Sequence, residues 1–142
     1  MNQPVEITAE DLVELRIPCR AEWVALARLA VAAVANRLRF SIEDIEDVKL
    51  AVAEACTAVI QHANHGEAIA LTCETSLDAL RIRVRDAGRH VGDRARSIDL
   101  DEARIAGLGV FLIRTLMDEV TYDVDPETGT DLVMVKRLHG NH

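Results

Sequence analysis

Three short stretches carry side chains that could do chemistry. The first is "EACTAVIQHAN", Glu54 to Asn64. Residues three and four apart on a helix share a face, so Glu54, Thr57, Ala58 and Gln61 form one stripe there. Such a stripe is either the wet edge of an ordinary amphipathic helix or one wall of a site. The second stretch is "RDAG", where Asp86 closes an apolar run and Gly88 follows. Asp and Gly commonly end strands. In a site, the same carboxylate would accept hydrogen bonds from a ligand amine, and Gly88 would let the ligand approach the backbone. The third is "GLG", Gly107 to Gly109, opening an apolar segment. Glycines before a helix either form a hinge or bare the N–H groups of its positive end to a phosphate. The dinucleotide fingerprint is excluded, because Leu112 stands where its third Gly belongs. His62 and His65 have no Cys or second His at a metal-binding spacing on one face. No nucleophile elbow with a Ser/His/Asp set is present either.

Regular elements must hold these stretches. "LVELRI" alternates through Val13, Leu15 and Ile17 and reads as a strand ended by Pro18. "EWVALARLAVAAVANRL" predicts a helix over Glu22 to Leu38. Ser41 caps a second helix, from Ile42 to about Ala63, with Asp44 as capping-box partner. "AIALTCE" and "ALRIRVRD" alternate around a "SLD" turn and predict a hairpin. Residues 89–106 lose periodicity and read as a long connection of the kind used for lids. A helix beginning at the glycines follows. Two last strands, Val120 to Val124 and Asp131 to Arg137, flank "DPETGT". This order predicts an α+β two-layer sandwich: one domain over residues 1–142, a mixed, mostly antiparallel sheet, and helices on one face.

Composition narrows the function classes. A chain of 142 residues with 49% hydrophobic content can bury a core. No apolar run is long enough for a membrane span. The acidic N-terminal stretch lacks signal-peptide character, so the expected location is the cytoplasm. A net charge of −8 argues against nucleic acid as a partner and suits a basic protein surface. Cys19, Cys56 and Cys73 lack paired spacing and read as reduced, mostly buried thiols.

Taken in order, "VKLAVAEACTAVIQHAN", "VRDAG", "GLGVFLIRTLMDEV" and "GTDLVMVK" resemble the four ATP-site segments of the GHKL ATPase and kinase superfamily. With "LARLAVAAVA" and "LMDEV", they resemble more narrowly its anti-sigma-factor serine kinases of the RsbW and SpoIIAB type. The resemblance implies a Bergerat ATP site between helices and sheet. Asp86 would bind the adenine amine beside Gly88, Thr130 would assist, and Gly107, Leu108 and Gly109 would contact phosphates under a 89–106 lid. Glu54 would act as general base and Arg28 would touch protein partners. Those partners would be a sigma factor and a STAS-type anti-sigma antagonist, phosphorylated on Ser or Thr, and the protein would be a homodimer. Mg²⁺ would accompany ATP. In the family an Asn four residues after the Glu coordinates Mg²⁺; here that position is Ala58, with Gln61 one turn on as a possible substitute. The family also usually has a second Gly near Arg89 or His90. Two readings stay open: a kinase, and a partner-switching module whose catalytic site has degenerated.

Overall fold

A computed structural model describes residues 11–62, 68–86, 109–125 and 129–138. Period-two alternation becomes five strands: β1 (Asp11–Pro18), β2 (Ala68–Thr75), β3 (Ala79–Asp86), β4 (Glu119–Asp125) and β5 (Gly129–Arg137). They form one sheet in the order β1-β2-β3-β5-β4. Every pairing among the described strands is antiparallel. The predicted hairpin is present, closed by a turn in which Ser76 N–H donates to the Ala79 carbonyl at 2.9 Å.

The register decides which side chains meet. Ile17, Ile69 and Asp86 lie in one transverse row; Leu71, Val84 and Leu132 lie in the next of the same face. Cys73, Ile82 and Met134 make a third. These rows are buried, and the helices cover them. The opposite face carries Arg81, Arg83, Arg85, Asp131 and Glu74, as expected for an antiparallel sheet with one side in water. On that face Arg83 makes a bidentate pair with Asp131, at 2.9 and 2.7 Å.

Helix α1 spans Val24–Ala35 and follows a single 3₁₀ turn at Ala21–Trp23. It stops short of the predicted Leu38. After Asn36 the bonds tighten to the i→i−3 kind, from Arg37 to Val34 and from Leu38 to Ala35, and Phe40 then enters the core. Helix α2 spans Ile42–His62. Its Ser41 cap forms as expected: Ser41 Oγ accepts from the Asp44 N–H at 3.0 Å. The Asp44 carboxylate, expected to complete a capping box, lies 3.8 Å from Lys136 Nζ. Val48, Ala51, Val52, Ala55, Cys56 and Val59 form the buried side of α2. Small residues on this side let the helix sit close to the sheet, so truncating a larger neighbour such as Leu80 leaves a cavity worth about 2–5 kcal/mol. Residues 109–116 are helical and are named α3. Val110, Ile113 and Met117 give it a buried stripe at helical spacing.

Candidate nucleotide site

Asp86 ends β3 and is 7% exposed. Its place on the inner face follows from alternation with Leu80, Ile82 and Val84, all buried. Arg85 pairs with Asp131, so one step further along the same register Thr130 comes opposite Asp86. Thr130 is 2% exposed, and its Oγ1 is buried with no hydrogen-bond partner among the described residues. A buried hydroxyl left without a partner costs about 1–3 kcal/mol, so this atom fits a role toward a bound group. Gly129 sets it up. Its φ of 94° lies where only glycine is at ease, and it turns the chain into β5. The end of the sheet therefore offers a carboxylate and a hydroxyl side by side in a largely dry setting, chemistry suited to an amino-bearing heterocycle.

Cys19 lies close by. Burial, and then the neighbouring Asp86 carboxylate, push its thiol up. Burial, with a lesser effect from Cys19, pushes Cys56 up to about 12. Burial alone brings Cys73 to about 12. All three are free, and Cys56 and Cys73 are buried while Cys19 is half-buried, as the composition suggests. None has the lowered pKa of a reactive thiolate.

A second group forms where α2 meets α3. A methyl group built on Gly109 would lie 3.4 Å from Glu54 Oε1. The carboxylate of α2 thus faces Gly109, the first described residue of α3. The rest of the predicted stripe divides. Thr57 is exposed and donates its hydroxyl to the Ala53 carbonyl at 2.9 Å, whereas Ala58 is 3% exposed. Gln61 is half-buried. Among the described residues no three His, Cys, Asp or Glu side chains converge as metal ligands, and Ala58 has no donor atom. The described side chains at this point form no metal cage of their own, and magnesium commonly takes only one or two protein carboxylates beside phosphates and waters.

Arg28 stands on the exposed side of α1, between exposed Leu26 and Leu29. Gly88, Gly107, Leu108 and the predicted 89–106 lid lie outside the described residues. So do His65 and the side chain of His62. No helix among the described residues is long and apolar enough to cross a membrane. Sequence reasoning missed Lys136, whose ammonium lies 3.7 Å from Asp47 and 3.8 Å from Asp44 and donates to the Leu116 carbonyl at 2.6 Å. The clue was its parity with Leu132 and Met134, which puts a lysine on the buried face.

Comparison with known proteins gives the family. Residues 17–136 match the histidine kinase-like ATPase domain. The serine-protein kinase RsbW of Bacillus velezensis is 36% identical over 146 residues, covering 94% of this chain and 89% of that protein. The RsbW of Halalkalibacterium halodurans is 37% identical over 138 residues, covering 90% and 84%. That of Listeria innocua is 38% identical over 144 residues, covering 93% and 90%. With this similarity along nearly the whole length, the chain belongs to the histidine kinase-like ATPase family, on the branch of the RsbW serine-protein kinases.

Proposed function

We propose that the protein is an ATP-dependent anti-sigma serine/threonine kinase. In this reading it holds a sigma factor and phosphorylates a hydroxyl on a STAS-type antagonist. The observation that carries the reading is the approach of Glu54 Oε1 to Gly109. It supports Glu54 as a proton acceptor close to the glycine stretch that would hold the phosphates. At the other end, Asp86 accepts hydrogen bonds from the adenine amine, and the Thr130 hydroxyl fills its bonding directly or through water. Gly88 lies beside the base, and the N–H groups of Gly107, Leu108 and Gly109 hold phosphate oxygens. An acceptor Ser or Thr hydroxyl then attacks the γ-phosphorus. Its O–P bond forms, the bridging P–O bond to ADP breaks, and the hydroxyl proton passes to Glu54. Phosphoryl transfer needs positioning and charge compensation more than covalent help, so few side chains suffice. Magnesium enters with ATP as part of the substrate, held by phosphate oxygens and water. Arg28, with Leu26 and Leu29 around it, forms the partner-binding face on α1 of a homodimer.

Mixing the protein with Mg-ATP and its cognate antagonist tests this. Phosphate should appear on an antagonist Ser or Thr. Binding of the antagonist without transfer would refute the kinase reading.

Buried Ala58 favours a second reading, a partner-switching clamp that has lost catalysis. On that reading Ala58→Asn creates Mg-dependent nucleotide affinity or turnover that the natural chain lacks. Robust turnover in the natural chain, unchanged by the substitution, would remove the motive for it.

A further inference from the structure

We propose that Lys136 is a positioning residue that sets the axial register of α3 against α2, and with it the approach of Gly109 to Glu54. Lys136 stands on β5 with its side chain 8% exposed. Its ammonium reaches two helices at once. On α2 it faces Asp47 at 3.7 Å and Asp44 at 3.8 Å. On α3 it binds the carbonyl of Leu116, the last helical residue, at 2.6 Å. The final carbonyls of a helix have no partner within it and attract cations, and the first turns favour carboxylates. One lysine thus satisfies the negative end of α3 and the acids in the early turns of α2.

The spacing makes this contact more than local. Asp47 precedes Glu54 by seven residues on α2, and Gly109 precedes Leu116 by seven on α3. Seven residues are about 10 Å of helix and nearly two full turns, so each pair shares a helix face. The two helices are therefore bridged at matching intervals, by Asp47, Lys136 and Leu116 at one end and by Glu54 and Gly109 at the other. Sliding α3 along its axis breaks the first bridge and opens the second. Displacement of reacting groups by about 1 Å can cost 10²-fold in rate, so a cation remote from the phosphates controls transfer through geometry alone.

The rate effect rests on the kinase reading, whereas the helix register does not. Lys136→Met and Lys136→Arg are compared with the natural chain, and Asp44→Asn together with Asp47→Asn removes the α2 carboxylates should Lys136→Met fold poorly. Two properties are read: amide exchange along residues 110–117 against that in β2 and β3, and, per folded molecule, phosphate transfer together with affinity for ATP and for adenosine. Lys136→Met should speed exchange in α3 by about tenfold relative to the sheet. It should lower transfer at least about tenfold with adenosine affinity held within about twofold, and Lys136→Arg should restore most of the loss. Exchange that changes uniformly, with transfer per folded molecule unaltered, would overturn the proposal and leave Lys136 an ordinary stabilising contact. If the natural chain transfers no phosphate, the kinase reading fails, and the exchange pattern alone decides the register.

Discussion

The two ends of the candidate site are built differently. The Asp86–Thr130 end is made by strands, and its geometry is fixed by backbone pairing between β3 and β5. The Glu54–Gly109 end is made where two helices approach, with no ladder between them. Moving Thr130 away from Asp86 means breaking a hydrogen-bonded register, in which a slip of one residue reverses every side chain. Moving Gly109 away from Glu54 requires only that one helix slide. On the proposed reading, base recognition is therefore rigid by construction, while the chemistry is placed on adjustable parts.

Substitutions at the two ends can break this contrast. Glu54→Gln keeps the shape and removes the proton acceptor. Phosphate transfer should fall about 10²-fold or more, with ATP affinity nearly unchanged in a nucleotide titration. A large loss of affinity instead would move Glu54 into ground-state binding and blur the division. Asp86→Asn should act in the opposite way. Loss of a charged hydrogen bond of about 1.5–3 kcal/mol should weaken ATP and adenosine alike by roughly 10- to 150-fold, measured by calorimetry. Should adenosine binding persist, the strand end does not read the base. Gly129→Ala tests how firmly the strand end is held. Its φ of 94° disfavours any side chain, and chemical denaturation should show a loss of about 1–2 kcal/mol. The smallest effect is expected on the far face of the sheet. There Arg83→Ala removes an exposed pair with Asp131 and should cost no more than about 1 kcal/mol, with nucleotide binding untouched. A measurable change in affinity would mean that the solvent face communicates with the site.

Local features were the most legible in the sequence. Alternation located β1, β2 and β3, the "DPETGT" turn marked β4 and β5, and Ser41 marked the start of α2, because each signal lies within a few residues. The family resemblance singled out Glu54, Asp86 and Thr130, but the pairings were out of reach of periodicity. Thr130 lies opposite Asp86 because of strand register, and Gly109 meets Glu54 because two helices pack. Lys136 was harder still. As a letter it is one more charge near the end of a strand; its partners Asp44, Asp47 and Leu116 belong to two other elements. The end of α1 was misjudged for a similar reason. Helix propensity continues to Leu38, but burial of Phe40 is a tertiary demand that propensity does not contain.

One consequence of β5 concerns how the gene can be edited. Thr130 and Lys136 sit on the same strand and share the inward parity, six residues apart, about 20 Å of extended chain. Deleting or inserting one residue between them cannot leave both facing inward. Either the hydroxyl leaves the Asp86 end or the ammonium leaves the helices. The stretch from residue 131 to 135 should therefore accept many exchanges of one amino acid for another of like character, and almost no change in length.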